Sequence, residues 1–321
     1  MGLFDFFKSK PAEQEVQTSE ENSVAILHDD GIRAMKMGEV KYAEKCFAKA
    51  LELRDDLQLV KLLAEVKLRL QDFEEALPLL QRVAEAEPEN VEAQLLLGQT
   101  YGKLGDYATM KAIADKLQEI LPEDARVLYI GGEADQGVGD VVSAIARLTK
   151  AIELQPLYSA PRLLRAQILS GMGQYKEVLE DTEVLLKQDS EREEVLLLQA
   201  NSLVAIGETE KAEAVYARLL EANPFSRDGV IFFAEFYCRT SRIDKALELC
   251  NEAIELQPDF ARAYQLRANI KMQLNDKIGA DEDLKKSMEL QSESCEKADG
   301  GFSNVENKVA ERYRNMNPYG F

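Results

Sequence analysis

Small side chains recur along this chain at a fixed interval. They stand at Gly31, Ala64, Gly98, Gly132, Ala166, Ala200, Ala234 and Ala268; the first interval is 33 residues and the other six are 34. Twelve residues after each comes a second register: Ala43, Ala76, Met110, Ala144, Val178, Ala212, Ala246 and Ala280, six of the eight being alanine. A third register, 24 residues after the first, holds Pro88, Pro122, Pro156, Pro224 and Pro258. Three registers locked to one period mean one supersecondary unit copied along the chain, each copy burying its apolar side against its neighbours. The 321 residues therefore need not divide into two globular domains, as length alone would suggest.

Each register has a physical reading. The first small residue sits midway along one helix and the second early in its partner, so that two antiparallel helices approach closely. A short turn joins them: Gly38-Glu39, Gly105-Asp106, Gly139-Asp140, Gly173-Gln174 and Gly207-Glu208. Glycine suits the left-handed residue that ends a helix, and an acid next to it suits the positive end of the following helix dipole. Proline closes the second helix, which it cannot continue. Composition agrees, with no Trp, nine Pro and abundant Ala, Leu, Glu and Lys, which are helix formers.

The stretch LLLGQTYGKLGDY at 95–107 and the stretch KYAEKCFAKALEL at 41–53 resemble the two helices of the tetratricopeptide repeat. The resemblance covers about residues 24–290. Met110 and Val178 stand where the family has Ala, Ser190 replaces a closing Pro, and Gln71 occupies a turn position usually held by Gly. The resemblance implies an all-α fold: a right-handed superhelical solenoid of antiparallel helix pairs with a C-terminal capping helix. Eight repeats are expected at about 24–56, 57–90, 91–124, 125–158, 159–192, 193–226, 227–260 and 261–294.

The ends read differently. Residues 1–23 are expected to be a flexible tail. In MGLFDFFK, Leu3, Phe4, Phe6 and Phe7 surround one acid and precede Lys8 and Lys10. Two readings stay open for this segment: a short apolar terminus packing on a neighbouring helix, or an amphipathic anchor giving weak peripheral membrane contact through residues 2–8. Gly2 invites a myristoylation reading, but Phe6 stands where Ser or Thr is wanted. The polar, acidic run PAEQEVQTSEENS then reads as a disordered linker. In 295–321, Gly300-Gly301 breaks the chain, Ser303 and Glu306 fit a capping box, and Val305, Val309 and Tyr313 fall on one helical face. That pattern suits a helix covering the last repeat, followed by a tail, NMNPYGF, with no assigned role.

Chemistry is sparse. The net charge of −19 and the lack of a basic stripe argue against nucleic acid. One histidine, His28, cannot by itself build a triad or a zinc site. Cys46, Cys238, Cys250 and Cys295 form no C-x-x-C pair, so a reducing, cytoplasmic setting is expected, with Cys238 and Cys250 as small apolar fillers. The run GGEADQGVG at 131–139 lacks the G-K-[ST] ending of a phosphate loop. No run of 18 apolar residues spans a membrane, and the start lacks a secretory signal pattern. No enzyme activity, cofactor or metal is expected.

The family resemblance implies a concave groove lined from repeat positions 2, 5, 6, 9, 12 and 13. Those positions carry seven acids and seven bases, near neutrality, whereas residues 24–290 hold 33 bases and 48 acids. Excess acid therefore lies elsewhere, where it favours solubility. Positions 5 and 6 form an apolar stripe of Leu95, Leu96, Tyr129, Ile130, Leu163, Leu164, Leu197, Leu198, Ile231 and Phe232. It is either repeat core or a surface for a peptide or helix. Arg126, Glu133, Asn201, Glu235, Arg239 and Asn269 are expected to orient a guest. The family's clamp for acidic C-termini is absent: Lys61 fits, but Glu65, Leu96 and Ile130 stand where its Asn, Asn and Arg belong. The expected function is a non-catalytic scaffold or adaptor that binds a segment of partner proteins. The alternatives are a membrane-tethered assembly factor and a regulatory subunit of an enzyme complex.

Overall fold

The computed structural model describes residues 12–292. Every regular element among them is a helix: α1 (Ala12–Met37), α2 (Val40–Leu53), α3 (Leu57–Arg69), α4 (Phe73–Ala86), α5 (Val91–Lys103), α6 (Tyr107–Ile120), α7 (Ala125–Gly137), α8 (Val141–Leu154), α9 (Ser159–Gly171), α10 (Tyr175–Gln188), α11 (Glu193–Ala205), α12 (Thr209–Ala222), α13 (Arg227–Arg239), α14 (Ile243–Leu256) and α15 (Ala261–Gln273). A last helix, α16, occupies 277–292. The chain forms two compact units, up to Ile168 and from Leu169, the boundary falling inside α9.

The repeat registers do the work assigned to them. Ala43, Ala76, Met110 and Ala144 are fully buried in the first unit, as are Ala212, Ala246 and Ala280 in the second. A Cβ on Gly31 would meet the Phe47 ring at 2.4 Å, so the α1–α2 contact requires glycine there. The five turn glycines all have positive φ. Gln71, Ser241 and Asn275 adopt the same left-handed conformation, where a side chain costs about 1 kcal/mol or more. The closing prolines each stand two residues beyond α4, α6, α8, α12 and α14.

The acids beyond the turns do more than face a dipole. Asp106 accepts from the Thr109 amide at 3.0 Å and Asp140 from the Ser143 amide at 3.1 Å, while Asn90 and Ser226 cap α5 and α13. These bonds supply orphan amide donors with acceptors. Side-chain and backbone hydrogen bonds hold the Asp106 and Asp140 carboxyls below the usual range.

One expectation fails here. Residues 12–23, read as part of a flexible linker, are the first turns of α1. The segment lacks an apolar face, but after Pro11 it holds no Pro or Gly. Extending a helix already nucleated by packing costs little per residue. MGLFDFFK, Cys295 and the expected capping helix lie outside the described residues.

Candidate functional site

In the first unit, odd-numbered helices present the same repeat positions side by side. From α3 come Lys61, Glu65 and Leu68; from α5, Glu92, Leu96, Gln99 and Lys103; from α7, Tyr129 and Glu133. Two clefts result. One, of about 300 Å³, is lined by Leu68, Phe73, Leu96, Gln99, Thr100, Lys103, Tyr129 and Glu133. The other, of about 430 Å³, is lined by Lys61, Ala64, Glu65, Leu68, Leu80, Val83, Asn90, Glu92, Ala93 and Leu96. Leu68 and Leu96 border both.

The local sequence explains the shape. Leu68 and Leu96 are half-buried against the cluster of Ala64, Ala76, Leu80, Ala84 and Leu97. Tyr129 packs on the cluster around Leu95, Met110 and Ile130. Its ring meets Tyr158 edge-on, with centroids 5.7 Å apart. Thr100 sends its hydroxyl to the Leu96 carbonyl at 2.8 Å, so this wall of the smaller cleft needs no partner to satisfy it.

Most charges at the rim are already matched. Lys61 donates to Glu87 at 2.6 Å and Arg69 to Glu65 at 2.8 Å. Arg126 donates through Nη2 to Asp124 at 2.7 Å and through Nη1 to Glu92 at 3.2 Å. Hydrogen bonds from Lys61 and Asn90 keep the Glu87 carboxyl below its usual range. Glu133 differs. It is half-buried, among the described residues no hydrogen bond or ion pair reaches it, and only the Lys103 charge acts on it favourably through space. Burial pushes its carboxyl above the usual range, against the pull of Lys103. Burial, then the neighbouring Glu133 and Tyr158, push the Tyr129 phenol up to about 12.

The apolar stripe expected from positions 5 and 6 is half surface and half core. Leu95, Ile130, Leu163 and Ile231 are 1–8% exposed and belong to the core, not to a groove. Leu96, Tyr129, Leu164, Leu197, Leu198 and Phe232 are half-buried. Adjacent helical residues point about 100° apart, so one of each pair turns into the junction with the neighbouring helix. In α5, α9 and α13 it is position 5; in α7 the roles reverse, and Tyr129 faces outward. In α11 both leucines are half-buried. Leu197 and Phe232 also pack against the second unit's core.

The polar residues scatter. Arg126, Glu235, Arg239 and Asn269 are exposed. Asn201 has its side-chain oxygen taken by the Tyr216 hydroxyl at 2.5 Å. Leu68 and Phe73 were missed as cleft walls. Leu68 stands at position 12, within the expected lining set, but only charges were read there; Phe73 opens α4, outside that set.

Among the described residues no group of three or more His, Cys, Asp or Glu could hold a metal ion, and no helix is long and apolar enough to cross a membrane. Burial pushes the Cys250 thiol up to about 12 and raises that of Cys238. Both stay protonated as packing groups of one cluster. His28 contacts Asp29 at 3.1 Å.

Comparison with known proteins agrees with this architecture. A tetratricopeptide repeat family model matches residues 67–130 and 203–270, and a second one matches 261–294. The human superkiller complex protein 3 is 31% identical over 160 residues, covering 47% of this chain and 10% of that protein. Tetratricopeptide repeat protein 37 of Xenopus laevis is 26% identical over 236 residues, covering 71% of this chain and 14% of that protein. The chain thus spans a small part of the length of either relative. Among solved structures, the C-terminal part of a TPR repeat-containing protein from Cytophaga hutchinsonii superposes with a TM-score of 0.56 at 15% identity, covering 71% of this chain and 93% of that one. With the 34-residue period, the paired helices and the turn glycines, these matches show that the chain belongs to the tetratricopeptide repeat family.

Proposed function

We propose that this protein is a non-catalytic scaffold that binds a peptide or helix of partner proteins on the faces of its odd-numbered helices. Tetratricopeptide repeat proteins generally mediate protein–protein interactions, and the helix pairs α1–α16 supply such faces here. The observation that carries the reading is the pair of adjoining clefts over α3, α5 and α7, with half-buried apolar walls and charged rims. A wall already packed in the free protein leaves the ordering cost of binding to the guest segment. The lining differs from a carboxylate clamp, since Leu96 offers no donor where the clamp has Asn, so acidic C-termini are not the expected guests.

The test compares three forms of the full chain in affinity capture from native lysate: wild type, Gln99→Arg with Tyr129→Ala, and Ala112→Arg on the exposed side of α6. Helicity is verified first. The reading predicts that the cleft variant loses a set of proteins that wild type and the α6 variant both retain. Identical sets for all three would contradict it.

A further inference from the structure

Of the charges lining the two clefts, Lys61, Glu65 and Glu92 have hydrogen-bonded partners at the rim, and among the described residues Lys103 and Glu133 have none. Lys61, Arg69 and Arg126 are each hydrogen-bonded to an acid of the first unit. Glu133 is left with the exposed Lys103 as a through-space countercharge. Ionising a carboxylate beside Leu68, Phe73, Leu96 and Tyr129 costs free energy unless a donor reaches it. Among the described residues, this carboxylate thus has no protein donor, and it lines an open cleft.

The chemistry of a fitting guest follows from the walls. A long basic side chain lays its methylenes along apolar surface and keeps its charge for the far end. Aromatic faces such as those of Phe73 and Tyr129 attract a cation. A carboxylate then closes a charge-assisted hydrogen bond, stronger than one between neutral groups. The chain's net charge of −19 draws basic segments toward it and repels acidic ones.

We propose that the cleft of Leu68, Leu96, Tyr129 and Glu133 receives an arginine or lysine side chain of a partner segment, with an apolar residue beside it. This deepens the scaffold reading and rests on it. The guest cation takes the place of Lys103 as the near countercharge of Glu133, and Lys103 stays exposed.

The probe is a displayed library of random nonamer peptides, selected on the full chain at neutral pH and moderate salt. Enriched nonamers are then titrated against wild type, Glu133→Gln, and Gln99→Arg with Tyr129→Ala. Glu133→Gln preserves shape and removes only charge, and circular dichroism verifies each fold. The expected result is enrichment of Arg or Lys next to Leu, Phe or Tyr, with affinity about tenfold lower or more for Glu133→Gln, the loss of one charge-assisted contact. Enriched nonamers that are acidic, or that bind Glu133→Gln as tightly as wild type, would overturn the proposal. If those nonamers still lose binding to the double variant, the scaffold reading survives alone. Nonamers indifferent to both variants, or no enrichment at all, would count against both.

Discussion

Helices α7 and α13 stand three repeats apart and solve the same packing problem in opposite ways. Where α7 has Gly131 and Asp135, α13 has Phe233 and Tyr237. Across from them α8 offers Arg147 and α14 offers Leu249 at the same repeat position. In α13 the space is filled by rings: Phe233 stacks on Tyr237 with centroids 4.4 Å apart and on Tyr216 at 5.1 Å. In α7 the space over Gly131 admits the Arg147 side chain; a Cβ there would lie 2.3 Å from its Nη1. Arg147 Nε then lies 3.2 Å from fully buried Asp135, and Lys111 donates to the same carboxylate from α6. The partner position on the preceding repeat is kept: Tyr237 donates to Glu213 at 3.1 Å. One register thus supports either an aromatic or an ionic joint.

The two joints differ in how they fail. An aromatic joint loses contact area when cut, whereas an ionic joint leaves uncompensated charge. The largest expected effect is at Asp135. Its replacement by Ala takes the buried carboxylate from Lys111 and Arg147, leaving them the more exposed Asp115, and costs about 3 kcal/mol, read as a shift in the denaturant midpoint. Adding Lys111→Leu and Arg147→Leu recovers most of that loss; a triple variant as unstable as the single would mean the joint is not ionic. Gly131→Ala comes next, at about 1–3 kcal/mol, because the guanidinium must leave its place. Tyr237→Phe on the other joint costs about 1 kcal/mol, since Glu213 keeps Arg242 at 2.5 Å and Lys245 at 3.1 Å.

The smallest effect is on the cleft and carries a sign. Burial raises the Glu133 carboxyl, so its favourable contribution is present while it is protonated and is lost as pH rises through its folded pKa. Lys103, Tyr129 and Tyr158 face it, and burial raises both phenols further above the carboxylate range. Thermal unfolding should therefore show Glu133→Gln above wild type at neutral pH, the gap closing as the solution is acidified. A variant less stable than wild type at neutral pH would mean that Glu133 has a partner in the free protein.

The repeated helix pairs could be read from the chain because their registers are local. Small residues, turn glycines and closing prolines each act within one repeat, so the period exposes them. The joints were harder. Lys67 bonds Glu44 at a separation of 23 residues and Lys111 bonds Asp135 at 24, so each pair crosses a repeat boundary. Both pairs join equivalent positions with the charges exchanged, a signal present in the sequence and not used. Burial opposes the Lys67 charge, but hydrogen bonds from it to Glu44, Glu75 and Asp72 win and raise its pKa. The cleft was half legible. Leu96, Tyr129 and Glu133 were named, but Leu95 and Ile130 were named with them, because position alone does not say which of two adjacent side chains turns inward. The early start of α1 was hidden by the same reliance on an apolar face.

The central claim is that partner segments lie over α3, α5 and α7. A photo-crosslinking residue placed at Gln99, in the cleft wall, tests it against the same residue at Ala112, on the exposed side of α6. The account predicts that the protein set lost by the cleft variant crosslinks from position 99 and not from 112. Crosslinks to that set from 112, with none from 99, would contradict it.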